Sequence, residues 1–188
     1  MKILNLLEVQ KKVLRLIEEI NTTGTTIENM TDDVDIREKL NDVINQIQFE
    51  LCRIKKISAK EKMEVVENQE LDLCEDLENF YQLNVIKNVR HEQVENYITF
   101  LEDGTATIYY YKYPKRITRT TDAEKYKFEI TDDVIECLVY GVAADVLKSD
   151  VSSNYGKIYA DRYNELKQGL DPRLARGNIV ICDDGLNF

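Results

Sequence analysis

Proline and glycine are scarce, with two and seven residues in 188. Long irregular loops draw on both, so connections should be short and helices many. Histidine occurs once, at His91, and the four cysteines Cys52, Cys74, Cys137 and Cys182 form no Cys-x-x-Cys pair. That spacing argues against a zinc site. No apolar run approaches the ~20 residues of a membrane span, and the run from Ile3 to Leu7 is too short for a signal peptide. The chain is expected to be soluble, with no membrane partner. Cations are outnumbered: Lys and Arg total 25 against 35 Asp and Glu, a net charge of −10. Broad duplex binding needs Lys and Arg to displace counterions, so this balance disfavours it while leaving room for a local basic patch. No glycine-rich phosphate loop is present. The acidic segment 61–78 lacks the Asp-x-Asp-x-Asp-Gly spacing that wraps calcium. We expect no catalytic, metal or cofactor site.

What is present is strong periodicity. Ile3, Leu6, Leu7, Val13, Leu14, Ile17 and Ile20 fall near helical spacing and predict a helix over 3–20. After the break at 21–26, Thr31 reads as an N-cap, with Asp32, Asp33 and Asp35 favourable at a positive helix end. Ile36, Leu40, Val43, Ile44, Ile47, Leu51 and Ile54 then form one stripe, predicting a helix over 32–56. From Lys62 the period shortens, and residues 62–113 read as a β-region. Glu61, Glu64, Glu67, Glu70, Asp72, Glu75, Asp76 and Glu78 make its first part an exposed acidic linker and strand face. "YITFLEDGTATIYYYKY" (97–113) reads as a hairpin turning at Asp103-Gly104, with Pro114 ending the second strand.

Thr131 is expected to cap a helix over 132–149, with Ile135, Leu138, Val139, Val142, Val146 and Leu147 on its apolar face. Gly141, Ala143 and Ala144 would let a neighbour approach closely. Ser152 or Ser153 starts a last helix over 153–169, stopped by Gly169 as a C′ residue and by Asp171-Pro172. Leu138, Val142, Ile158 and Leu166 should be buried between these two helices. Cys52 and Cys137, on apolar helix faces, read as small buried hydrophobes. The order predicts an α+β fold: one domain over 1–170, with two N-terminal and two C-terminal helices, an inserted antiparallel β-meander, and an extended tail at 171–188.

Several candidate sites can be weighed on their residues. Glu165-Leu166-Lys167 matches a nuclease-like triplet but lies on a predicted helix, where it reads as surface. His91 lies in a polar turn with no nucleophile near it in sequence. In "YYYKYPKRIT" (109–118), alternation puts Ile108, Tyr110 and Lys112 on one strand face and Tyr109, Tyr111 and Tyr113 on the other. Two readings stay open. The tyrosines could line a sheet edge or subunit interface. With Lys112, Lys115, Arg116 and Arg119 they could instead form a patch for single-stranded nucleic acid, although five acidic residues follow within 122–133. In the tail, Ile179, Val180, Ile181 and Phe188 are costly to leave in water, at roughly 1.5–3 kcal/mol each. Such a segment suits a partner's sheet or groove, or folds back on its own β-region.

A family resemblance joins these pieces. "INQIQFEL" (44–51) resembles the Ile-Asn-Glu-Ala-Gln segment on the second helix of tailed-bacteriophage head–tail adaptor proteins. "NQELDLCEDLENFYQLNVIKNV" (68–89) is similar to their strand, acidic turn and second strand, with Cys74 where a proline is frequent. "YYYKYPKRIT" is similar to their Tyr-x-x-x-Pro strand end. "FEITDDVIECLVYGVAADVLKSD" (128–150) followed by "YGKIYADRYNELKQGL" resembles their paired C-terminal helices. The pieces keep the family's order over about residues 35–170.

The resemblance implies a non-enzymatic homo-oligomeric ring, usually of twelve copies, docked on the portal protein at the head–tail interface of the virion. Such a ring is made in the bacterial host cytoplasm. It extends the DNA channel and presents a surface to a tail terminator, stopper or tail-tube component. An acidic bore would let duplex DNA pass without sequence-specific binding. The family's C-terminal segments reach the portal. That makes Arg173, Leu174, Arg176, Ile179, Val180, Ile181 and Phe188 the candidate partner-binding residues, in a tail expected to be mobile until docked. Two other classes remain: a nucleic-acid-binding accessory protein of phage packaging using 109–119, and a hydrolase using acidic side chains.

Overall fold

The computed structural model describes residues 4–19, 30–149 and 154–170. It is an α+β protein in which a helical unit carries an inserted two-sheet β-unit.

Helix α1 spans Leu6–Leu16 and opens on a capping box: Asn5 accepts from the Glu8 amide, and Glu8 accepts from the Asn5 amide. Two further amides at this end, Leu6 and Leu7, donate to the Tyr126 and Ala123 carbonyls. Helix α2 spans Val34–Ile54. Its N-cap is Asp33, which accepts from the Ile36 amide at 3.0 Å. Thr31, the expected cap, instead accepts from the Asp33 amide and is buried. The local Thr/Asp cluster offers several caps, and the one nearest the first helical turn is used. Helix α4 spans Asp132–Val146 with Thr131 as N-cap in extended backbone, and a short 3₁₀ turn, Leu147–Ser149, follows. Helix α5 spans Tyr155–Leu170. It runs through Gly169, so that residue is an exposed helical position and not a stop. The proposed starts at Ser152 or Ser153 and the stop at Pro172 lie outside the described residues.

These four helices share one core, including Leu6, Val9, Val13, Leu14, Leu40, Ile44, Leu51, Leu138 and Val142. Cys52 and Cys137 are buried free thiols, and burial pushes both thiol pKa values up to about 11. Helices α4 and α5 pack as expected. Leu138 and Val142 are fully buried and Leu166 half-buried, but Ile158 is 55% exposed. The line that meets the core is Tyr159, Tyr163, Leu166 and Leu170. Ile158 stands one residue, about 100° of helix, away from it.

The β-unit starts earlier than the sequence suggests, with β1 at Ile57–Val65. Then come β2 at Glu70–Asp72, the helical turn α3 at Leu73–Asp76, β3 at Phe80–Lys87, β4 at His91–Val94, β5 at Tyr97–Phe100 and β6 at Gly104–Lys112. All pairings are antiparallel, but the order is not a meander. One sheet runs β1-β6-β3 and the other β2-β5-β4. First and last strands are neighbours, with Ile57 opposite Lys112, so the unit leaves and rejoins the helices at one place.

The hairpin expected at Asp103-Gly104 does not form. Strands β5 and β6 belong to different sheets, and residues 101–103 carry the chain between them. The true hairpin joins β4 to β5 through Glu95-Asn96, with Glu95 left-handed at φ 54°. The alternation in 97–113 is satisfied across the interior. Ile98 and Phe100 on one sheet join Ala106, Ile108 and Tyr110 on the other in a single core with Val65, Leu71 and Ile86. Asp103 caps the neighbouring turn by accepting from the Glu67 amide at 2.7 Å. Glu102 accepts from both the amide and the guanidinium of Arg90, and these bonds hold its carboxyl below its ordinary pKa. Gly104 is needed for close approach, since an added Cβ would lie 2.9 Å from Val89 Cγ1.

Candidate partner-binding faces and the strand exit

After β6 the chain must cross from the β-unit back to the helices without strand partners. Pro114 and Ile117 are buried on this crossing, so their backbone needs bonds from elsewhere. Helix α2 supplies them. Asn45 donates Nδ2 to the Ile117 carbonyl at 2.7 Å and accepts from the Ile117 amide at 2.8 Å. Gln48 donates Nε2 to Asn45 Oδ1 at 3.0 Å and to the Lys115 carbonyl at 3.3 Å. The Tyr126 hydroxyl also donates to that carbonyl, at 2.6 Å. Burial pushes the Tyr126 pKa up to about 12. Asn45 and Gln48 of "INQIQFEL" are thus a clamp on "YYYKYPKRIT". Sequence shows both segments but not their contact. The readable signal was two amide side chains within an otherwise apolar helix stripe.

The alternation read in 108–113 holds. Ile108 and Tyr110 are buried, while Tyr109, Tyr111 and Tyr113 are half-exposed on the outer face of the sheet. Tyr113 joins the two units: its ring lies 5.4 Å from Phe49 of α2 and 4.8 Å from Tyr81 of β3.

The cations expected beside these rings are elsewhere. Lys112, on the other face, pairs with Glu129 at 2.6 Å, and Lys115 pairs with Glu78 at 3.4 Å. Arg116 and Arg119 are exposed on the crossing beyond the sheet. The lysines on the tyrosine face come from β1, from the residue before it and from β3. Lys56 Nζ lies 4.7 Å from the Tyr111 ring centroid, and Lys60 and Lys87 each lie 5.4 Å from that of Tyr109. Such contacts contribute roughly 0.5–1 kcal/mol at exposed sites. Lys62, opposite Thr107, points the same way. Pairing of β1 and β3 with β6 gathers these four lysines from up to 31 positions apart in sequence, from Lys56 to Lys87.

The outer face of the second sheet has the opposite sign. Its outward residues are Glu70 and Asp72 on β2, Tyr97 and Thr99 on β5, and Glu92 and Val94 on β4. Tyr97 is 53% and Val94 70% exposed. The Asp72 carboxylate, with a smaller contribution from Glu75, raises the Tyr97 pKa. The acidic segment 61–78 is therefore split between the two sheets and not one continuous patch.

The remaining candidates have structural roles. Glu165 pairs with Arg162 at 2.7 Å, and Lys167 pairs with Glu50 of α2. His91 begins β4, its ring 3.3 Å from the Val89 carbonyl. Among the described residues, no three His, Cys, Asp or Glu side chains are placed to hold a metal ion. No described helix is long and apolar enough to cross a membrane. Cys74 is exposed in α3, where its amide donates to Asp72 at 2.8 Å. Arg173, Leu174, Arg176, Ile179, Val180, Ile181 and Phe188 lie outside the described residues. Comparison with protein-family models finds no match for the chain, and none of the curated proteins matches it either.

Proposed function

We propose that the chain is a structural adaptor of the head–tail interface in a tailed-bacteriophage virion. Copies form a ring between the portal and the next tail component, around passing DNA, and the protein acts by assembly and not by catalysis. One observation carries this reading beyond the order of the motifs. Two segments that bear the resemblance separately, 44–51 and 109–118, are bonded to each other through Asn45, Gln48, Ile117 and Lys115. The paired helices α4 and α5, in contact through Gly141 and Tyr163, fit the same reading.

The test is to mix the purified protein with portal rings and image the product by cryo-electron microscopy. The expected result is an additional ring of density on the portal. Protein that leaves portal rings bare at every ratio refutes the adaptor reading. The tail residues Arg173 to Phe188 are the proposed portal anchor. Deleting 173–188 should abolish docking and leave the melting temperature almost unchanged. A truncated protein that docks normally, or loses most of its stability, removes that role.

The second reading, a nucleic-acid-binding accessory protein, draws on the cationic charge of Lys56, Lys60, Lys62 and Lys87 on one sheet face, which suits phosphates. It predicts salt-dependent binding of single strands that is lost on Lys60→Ala with Lys87→Ala. Changes at Lys112 and Lys115 would matter less, since carboxylates already neutralise them.

A further inference from the structure

The two sheets of the β-unit enclose one core, so their outer faces point in opposite directions. One carries Lys60, Lys62 and Lys87, with Lys56 beside them over the Tyr111 ring; among the described strand residues the one outward carboxylate is Glu64 at its end, which accepts from Thr105. The other carries Glu70, Asp72 and Glu92, and its strands place no cation there; Arg90, one residue before β4, pairs with Glu102. Each also exposes apolar surface within its charged frame: Val85 at 38% on the basic side, Val94 and Tyr97 on the acidic side. In a chain of net charge −10, three of the four strand lysines, Lys60, Lys62 and Lys87, share this face, while Lys112 lies on the other side of its sheet, paired with Glu129.

We propose that these two faces bind each other between copies, the basic face of one β-unit against the acidic face of the next. This deepens the adaptor reading and rests on it for ring closure. Charge complementarity selects the occupant. The basic face requires an anionic partner with apolar content, and this chain presents one on its opposite side. A nucleic acid fits less well. Tyr109 and Tyr111 are half-buried rings already covered by lysine ammonium groups, so little ring surface is left for base stacking.

The contact joins two different faces, so it is heterologous and propagates until it closes into a ring or grows as a filament. Strand spacing and rise give roughly 400 Å² for the β1-β6-β3 face and about 200 Å² for the shorter-stranded β2-β5-β4 face, both below the ~800 Å² per partner of a standard interface. A single contact is therefore weak and sensitive to salt. In a closed ring every copy makes two, and the assembly persists.

The experiment uses two full-length variants. Lys60→Glu with Lys87→Glu makes both faces acidic, and Glu70→Lys with Glu92→Lys makes both basic. All four positions are exposed, and circular dichroism checks that the variants stay folded. Sedimentation velocity at low salt, over concentrations reaching about 1 mM where weak contacts are populated, should show wild type self-associating. Each variant alone should lose roughly a hundredfold or more in association constant. Mixing the two variants should restore association, because an all-acidic copy then alternates with an all-basic one. Wild type that stays monomeric across the series overturns the proposal. So does undiminished association of either variant, or a mixture that does not associate. A single-stranded oligonucleotide bound through Lys60 and Lys87 with self-association unchanged assigns the face to nucleic acid and also overturns it. Portal docking in the imaging experiment is a separate readout. Docking by a protein whose β-faces do not associate would refute this contact and leave the adaptor reading standing.

Discussion

Replacing Gly141 by alanine tests the contact between α4 and α5 directly, because two effects of opposite sign meet there. Alanine is better than glycine in a helix interior by about 1 kcal/mol, and Gly141 is in the middle of α4. On propensity alone, Gly141→Ala would stabilise the protein. The packing opposes it. A Cβ at this position would lie 2.8 and 2.9 Å from Tyr163 Cε2 and Cδ2, and 3.1 Å from Ile47 Cγ2. Both neighbours are buried, Tyr163 at 9% and Ile47 at 6% exposure, so neither can swing into solvent. Overpacking of this kind costs typically ~1–3 kcal/mol. The expected net effect is a destabilisation of about 1 kcal/mol, or roughly 2–4 °C in melting temperature for a chain of this size.

A double-mutant cycle separates the two contributions. Tyr163→Ala destabilises on its own, by roughly 3–5 kcal/mol as for other buried aromatics. In that background the ring is gone, and Gly141→Ala should change sign and stabilise by up to about 1 kcal/mol. Chemical denaturation of the four proteins measures the coupling, expected at roughly 1–3 kcal/mol. A rise in stability for Gly141→Ala in the wild-type background, or a coupling near zero, would refute the close approach of the two helices.

Other outcomes follow from the clamp and from the buried titratable groups. Asn45→Ala removes both partners of the buried Ile117 backbone; at ~1–3 kcal/mol per orphaned group, urea unfolding should show a loss of about 2–4 kcal/mol, and a loss below 1 kcal/mol would mean the crossing does not depend on α2. Alkaline stability should fall between about pH 9 and 12. Cys52 and Cys137 titrate near 11 when folded against an ordinary 9.0, and Tyr126 near 12 against 10.0. The unfolded chain releases these protons first, so the folded state loses ground as pH rises through the window. Melting curves that stay constant from pH 8 to 11.5 would contradict the burial of these groups.

The sequence carried the helices because each reports its own burial through a local period. The stripe from Ile36 to Ile54 and the apolar face of 132–146 need no knowledge of what covers them, and the α+β class follows from their order around an alternating segment. Alternation likewise separated Tyr110 from Tyr109 and Tyr111. It could not say which strand lies beside which. Asp103-Gly104 has the chemistry of a hairpin turn, yet the strands on either side of it go to different sheets. Facing Ile98 and Phe100 toward Ile108 and Tyr110 across a core buries all four, and period-2 alternation is the same for strands that pair and for strands that oppose. The caps and Ile158 show the same limit on a smaller scale, since a shift of one residue along a helix changes what a side chain meets.

The charged faces were decided by tertiary structure alone. Arg53, Lys55, Lys56, Lys60 and Lys62 form a locally basic run with only Glu61 among them, but nothing in the chain joins that run to Lys87 or sets it opposite Glu70, Asp72 and Glu92. Long-range pairing of β1 and β3 with β6 brings the lysines to one surface and sends Glu70, Asp72 and Glu92 to the opposite one. The physical reason is that side-chain direction follows from strand register, and register between distant strands is set by how the whole β-unit buries its apolar side chains.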